Sequence, residues 1–109
     1  MEQISSSSQF DNLLHENIFV LAYFSGKNCG VCHALMPKVE KLVGEAFPYL
    51  KLVEISVDEF PELAARFTIF TIPVILVFVD GREYIREARN ISTVELLRKI
   101  EKITSLYHR

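Results

Sequence analysis

The sequence predicts an α/β fold with a central mixed sheet of four to five strands flanked by four helices. Short, strongly apolar runs of strand length alternate with segments of helical periodicity, which favours parallel strands covered by helices. The pair Asp80-Gly81 joins the last two predicted strands as a tight hairpin, which adds an antiparallel edge. A chain of 109 residues fits one domain, so residues 1–109 are expected to fold as a single unit.

The first elements are a possible short strand, a helix and a buried strand. The strand is expected at Gln3–Ser5, and serines at Ser5–Ser8 offer N-caps for a short amphipathic helix through Phe10–Leu14. The run Ile18–Phe24 is too continuously apolar for a strand with one wetted face. It predicts a central strand covered on both sides.

The second helix is expected to begin at Cys29 or Gly30, after a polar loop. Pro37 lies inside this helix and has no N–H to bond the preceding turn, so a kink is expected there. The predicted apolar stripe consists of Leu35, Val39, Leu42 and Ala46.

The second half of the chain continues the alternation. Predicted strands lie at Lys51–Val57, Val74–Val79 and Glu83–Ala88, and Pro61 suits the first turn of a short helix that reaches Arg66. The motif Ser92–Glu95 is a capping box that starts the last helix. One face of that helix carries Leu96, Ile100, Ile103 and Tyr107.

Composition and charge exclude several classes of partner. Twelve basic and fourteen acidic residues leave a net charge of −2, which is too balanced to indicate nucleic acid or an anionic membrane surface. The N-terminus lacks the positive start and apolar run of a secretory signal, and no run approaches the ~18 apolar residues of a membrane helix. We therefore expect a cytoplasmic protein without membrane or nucleic-acid partners.

The two cysteines, Cys29 and Cys32, are the candidate catalytic residues. They lie where a buried strand and a polar loop lead into a helix, and the free N–H groups of a helix N-terminus favour an anion such as a thiolate. Cys29 is expected to be the exposed nucleophile, and Cys32, one turn later, to resolve the mixed disulfide. Gly30 leaves the approach to Cys29 open.

Three other interpretations of the pair stay open. The cysteines can be inert core residues, since free cysteine is often buried. A zinc site would need four ligands, drawn from the two thiols and His15, His33 and His108. An iron–sulfur cluster would need more cysteines than one chain supplies, and therefore a dimer.

Nearly the whole chain resembles the thioredoxin family. The matching features are Cys29-Gly30-Val31-Cys32, similar to the family's Cys-Gly-Pro-Cys, then Pro37, Ile72-Pro73, Phe78 and Asp80-Gly81. The resemblance implies that Pro73 is cis and that the backbone of Ile72 pairs with an extended substrate. Gly30, Val31, Ile72 and Pro73 are then the expected substrate-binding residues.

The resemblance implies a thiol–disulfide oxidoreductase that acts on protein disulfides. Such a protein needs no bound cofactor or metal, and it takes electrons from a disulfide reductase or a low-molecular-weight thiol. We expect it to work as a monomer. The alternative hypothesis is a thioredoxin-fold interaction module, or redox sensor, for one specific partner.

Several positions depart from the family pattern, and the missing Trp and the missing Asp motivate that alternative. Asn28 stands where thioredoxins have Trp, and Tyr23 where they have a buried Asp. Glu54 corresponds to the lysine partner of that Asp, and Arg89 to a glycine near the substrate groove. We expect Tyr23 to be a core aromatic and Glu54 a surface residue of its strand, and Arg89 to narrow the groove or to select an acidic client.

Overall fold

The structure, a computed structural model, describes residues 1–107, which form a five-stranded mixed sheet and four helices. The helices are α1 (Ser7–Glu16), α2 (Gly30–Ala46), α3 (Pro61–Arg66) and α4 (Thr93–Tyr107). The strands are β1 (Glu2–Gln3), β2 (Phe19–Ser25), β3 (Lys51–Ser56), β4 (Val74–Val79) and β5 (Arg82–Ala88). The predicted fold class is confirmed, the predicted bounds of β4 and α3 match the structure, and those of the other strands differ by one or two residues.

The sheet has the strand order β1-β3-β2-β4-β5, with β2 at its centre. Strand β2 pairs parallel with β3 and antiparallel with β4, and β4 pairs antiparallel with β5. Every residue of β2 and β4 is buried, which explains why both strands are continuously apolar rather than alternating. The hairpin between β4 and β5 turns at Asp80 and Gly81, both at positive φ, as a two-residue hairpin loop requires.

Alternate side chains of the sheet enter two separate cores. Tyr23 and its neighbours on one face pack under α2 and α4, together with Cys32. Phe10 and Phe24 belong to the opposite face, under α1 and α3, where Phe10 meets Phe67 and Phe78 edge to face. The first turn of α2 therefore packs, through Cys32, on the same face of the central strand as Tyr23.

Three residues of the predicted apolar faces, Leu42, Ala46 and Tyr107, are exposed rather than buried. Leu42 is 39% exposed, and the buried side of α2 is formed by Cys32, Val39 and Val43. Tyr107 is 47% exposed, whereas Thr104 is buried and donates to the carbonyl of Ile100. In both helices the apolar pattern was compatible with two neighbouring faces, and contact with the sheet decides which one is buried.

The predicted capping box at the start of α4 is only half formed. The hydroxyl of Ser92 accepts the backbone N–H of Glu95 at 3.2 Å. The carboxylate of Glu95 turns instead to the guanidinium of Arg98, 2.8 Å away, because an opposite charge one turn along the helix competes with the cap. Among the described helices, none is long and apolar enough to cross a membrane.

Candidate active site

The two cysteines form a disulfide at the start of α2. Cys29 is the N-cap of the helix, and its Sγ accepts the backbone N–H of Cys32 at 3.2 Å. The Cα atoms of Cys29 and Cys32 are 5.2 Å apart, within the usual span of a disulfide. The Sγ of Cys29 therefore occupies the position of the side-chain oxygen that normally caps a helix. There, the free backbone N–H groups and the helix dipole favour a negative charge on sulfur.

The two sulfurs differ in accessibility. Cys32 is completely buried in the core between the sheet and α2, whereas Cys29 is half-buried. Beside them Val31 is 68% exposed, and Gly30 faces open space, since a Cβ added there would meet nothing within 4 Å. Only Cys29 is placed to meet a sulfur atom that arrives from outside.

A carboxylate holds the loop that precedes Cys29. The backbone N–H of Lys27 donates to Oδ2 of Asp58 at 2.8 Å. Strands β2 and β3 are parallel neighbours, so the residues that follow them meet at the same edge of the sheet. Asp58 was not among the residues singled out from the sequence. Its position just after β3 would have placed it at the same edge of the sheet as the loop that precedes Cys29.

The Ile72–Pro73 peptide bond is cis, as the resemblance implied. Ile72, Pro73 and Val31 line one groove of about 410 Å³ beside the disulfide, and Gly30 lies outside the lining of this groove. Gly26, in the loop after β2, lies beneath Ile72, because a Cβ added at Gly26 would come within 2.6 Å of Cδ1 of Ile72. Three of the four predicted substrate-binding residues are thus brought together.

Tyr23 is a buried aromatic, as expected, and it also makes a polar contact with the active-site helix. Its hydroxyl donates to the backbone carbonyl of Cys32 at 2.7 Å. Burial, and secondarily the negative charge of Glu54, raise the pKa of Tyr23 to about 12. The phenol is therefore neutral at physiological pH and acts as a hydrogen-bond donor that ties the first turn of α2 to the sheet.

Glu54 is half-buried rather than a freely solvated strand residue. It lies in register with Tyr23 on the neighbouring strand, and its carboxylate accepts the hydroxyl of Ser25 at 2.8 Å and the amide of Gln3 at 3.3 Å. Ser25 is itself buried, 3% exposed. The carboxylate is therefore held in place beside the sheet face that lies under the disulfide.

Within residues 1–107 no group of three or more His, Cys, Asp or Glu side chains is arranged to hold a metal ion. Of the histidines considered for zinc, His33 places its Nε2 3.4 Å from the carbonyl oxygen of Lys27. His15 borders a different pocket, which it shares with Asp11 and Arg66. His108 lies outside the described residues.

Comparison with known proteins gives a consistent result. The family model described as Thioredoxin matches residues 2–102. The chain is 37% identical over 107 residues to the Thioredoxin-like protein YdfQ of Bacillus subtilis, covering 98% of this chain and 95% of that protein. The chain belongs to the thioredoxin family.

Solved thioredoxin structures share this fold. A mutant thioredoxin from Halobacterium salinarum NRC-1 superposes with a TM-score of 0.83 at 27% identity, covering 93% of this chain and 88% of that one. Thioredoxin 1 from Thermosipho africanus gives a TM-score of 0.75 at 29% identity, with 83% and 99% of the two chains covered. The thioredoxin family, the fold and the disulfide-bonded Cys-x-x-Cys pair support thiol–disulfide oxidoreductase activity in this protein.

Replacing Tyr23 by phenylalanine tests the hydrogen bond from its hydroxyl to the backbone carbonyl of Cys32. The ring volume is kept and one buried hydrogen bond to Cys32 is lost, so we expect the free energy of unfolding at pH 7 to fall by about 1 kcal/mol. Urea denaturation of the oxidised proteins measures this difference.

The same pair of proteins also tests the raised pKa. The pKa of Tyr23 is about 10 in the unfolded chain, and burial raises it to about 12 in the folded protein. Between these values the unfolded state binds fewer protons, so stability that is present below pH 10 is lost as the pH rises. Wild type should therefore lose more stability than Tyr23→Phe between pH 9 and 11. Parallel losses in the two proteins would show that burial does not perturb this phenol.

Proposed function

We propose that this protein is a cytoplasmic, monomeric, single-domain thiol–disulfide oxidoreductase that exchanges disulfides with protein substrates through Cys29 and Cys32. The observation that carries the proposal is the asymmetry of the pair at the start of α2. The accessible Cys29 caps the helix, whereas Cys32 is 0% exposed in the core.

In the reduced protein, Cys29 is the attacking group. Its thiolate attacks one sulfur of a substrate disulfide, so that a Cys29–substrate disulfide forms and the other substrate sulfur leaves as a thiolate. The N–H groups of the first turn of α2, including that of Cys32, stabilise the negative charge on Cys29 before the attack.

Cys32 completes the exchange. Its proton passes to the substrate thiolate released in the first step, and the Cys32 thiolate then attacks the sulfur of Cys29, which forms the Cys29–Cys32 disulfide and releases the second substrate thiolate. Two electrons have then passed from the protein to the substrate. Because the two Cα atoms are 5.2 Å apart, this step needs no large movement of the helix.

The groove beside the disulfide is the proposed substrate site. Ile72 offers the backbone groups that precede Pro73 to an extended peptide, which would bind by strand addition. Val31, 68% exposed, offers apolar surface, and Gly30 leaves the approach to Cys29 open. The oxidised protein then needs two electrons from a disulfide reductase or a low-molecular-weight thiol.

Reduction of insulin disulfides, with dithiothreitol as the electron source, tests the proposal. The wild-type protein should accelerate precipitation of the insulin B chain above the rate with dithiothreitol alone. A rate equal to that of dithiothreitol would rule out general protein-disulfide reduction and favour the interaction module.

A further inference from the structure

The groove beside the disulfide carries positive charge in an otherwise acidic protein. It lies between the first turns of α2, the Ile72–Pro73 segment and the loop from Arg89 to Ile91. Val31, Leu35, Ile72 and Pro73 give it an apolar floor. Among residues 1–107 its lining includes two cations, Lys38 and Arg89, and no acidic residue, whereas the whole chain has a net charge of −2.

Neither cation is neutralised by the protein within residues 1–107. The ion pairs in this part of the chain involve neither Lys38 nor Arg89. Glu87, the acidic residue two positions before Arg89, is held by Lys99, whose Nζ lies 2.6 Å from its carboxylate. The groove therefore offers two unpaired positive charges to whatever binds there.

Arg89 also occupies a backbone conformation that suits glycine better. Its φ is 53°, and that of Asn90 is 34°, both in the left-handed region that residues with a side chain seldom adopt. An arginine at this position adds steric cost to the loop without gaining an intramolecular ion pair in residues 1–107. A strained residue at the rim of a binding groove points to a role for its side chain in binding.

We propose that this groove selects protein substrates with an acidic residue a few positions from the reactive cysteine, and that Arg89 is the specificity-determining residue, assisted by Lys38. The proposal rests on the function proposed above and adds a substrate class to it. The planar guanidinium matches a carboxylate with two parallel hydrogen bonds, which an ammonium group cannot do. The occupant is an extended acidic peptide segment, whose side chains on one face recur about every 7 Å along the groove.

The test uses short peptides that each contain one cysteine in a mixed disulfide with 2-thiopyridine, an uncharged leaving thiol. The peptides differ only in carrying Glu, Gln or Leu at one position near the cysteine, and that position is varied from one to four residues away. Attack of reduced Cys29 on the peptide sulfur releases thiopyridone, whose absorbance gives the rate constant. Each value is divided by that of dithiothreitol with the same peptide, which removes differences in intrinsic reactivity.

Wild type should react with the Glu peptide about two- to five-fold faster than with the Gln peptide at low ionic strength, and this ratio should shrink with added salt. In Arg89→Gly the ratio should fall toward one, and in Arg89→Lys it should be intermediate. Arg89→Gly is expected to melt at or above the wild-type temperature, since glycine relieves the strained φ. The matched control Lys102→Gln removes an exposed cation outside the groove and should keep the wild-type ratio.

Each other outcome overturns the proposal. Equal rates on Glu and Gln peptides, or a preference that persists in Arg89→Gly, would show that the guanidinium does not select substrates. Faster reaction with the Leu peptide would assign the groove to an apolar segment. If reduced wild type attacks none of the peptides faster than dithiothreitol, the proposed oxidoreductase function fails as well, whereas fast but unselective attack leaves it intact.

Discussion

Replacing Cys29 by serine is expected to lower the rate of insulin disulfide reduction to that of dithiothreitol alone. Serine keeps the size and approximate shape of the side chain and can still cap α2, because its hydroxyl accepts the N–H that Cys29 accepts from Cys32. It cannot form a disulfide. The remaining thiol, Cys32, is completely buried and has no access to an external sulfur.

Two controls make the loss of activity specific. The melting temperature of Cys29→Ser should match that of reduced wild type, since only the oxidised wild type carries the disulfide. Ser105→Ala, which removes an exposed hydroxyl on α4, keeps both cysteines and should retain turnover. Activity of Cys29→Ser well above the dithiothreitol rate would mean that Cys32 attacks substrates, contrary to its burial.

Replacing Cys32 by serine is expected to stop the reaction after the first step. The variant keeps the accessible nucleophile, Cys29, and lacks the group that releases the product, so mixed disulfides between Cys29 and substrate should accumulate. When it is incubated with native, disulfide-bonded insulin and no added thiol, the reduced variant should give a covalent adduct on a non-reducing gel. Dithiothreitol should reduce this adduct. Wild type should give little adduct, because Cys32 resolves it.

The same variant distinguishes an enzyme from an interaction module. Many different adducts trapped from a cell extract indicate a general oxidoreductase. A single stoichiometric partner that is still retained by Cys29→Ser/Cys32→Ser indicates a binding protein whose cysteine pair only reports redox state. Adducts formed as readily by Cys29→Ser as by Cys32→Ser would reverse the proposed roles of the two sulfurs.

Local signals were sufficient for most of the fold and for the position of the cysteines. The run ending at Phe24 predicted a doubly covered strand because burial on both faces removes alternation. The hairpin at Asp80–Gly81 followed from the positive φ values that such turns need. The cis bond before Pro73, in contrast, was predicted only through the family resemblance, since most X–Pro bonds are trans.

Features that depend on distant packing were not predictable from local pattern. The contact of Asp58 with Lys27 joins residues 31 positions apart and requires the parallel pairing of two strands. Glu54 looked like a surface residue because nothing local reveals that the buried Ser25 donates to it. The shared groove of Lys38 and Arg89 likewise depends on a loop conformation at positive φ, which a sequence with arginine there does not suggest.

The pKa of the Cys29 thiol is the measurement that tests the account most directly. If the start of α2 stabilises a thiolate at the accessible sulfur, absorbance titration of the reduced protein should show a thiol with a pKa below the ~8.5 of free cysteine. Cys29→Ser should lack this transition, and Cys32→Ser should keep it. A Cys29 thiol that ionises at or above ~8.5 would contradict the account, because the helix terminus would then not favour the anion that attacks.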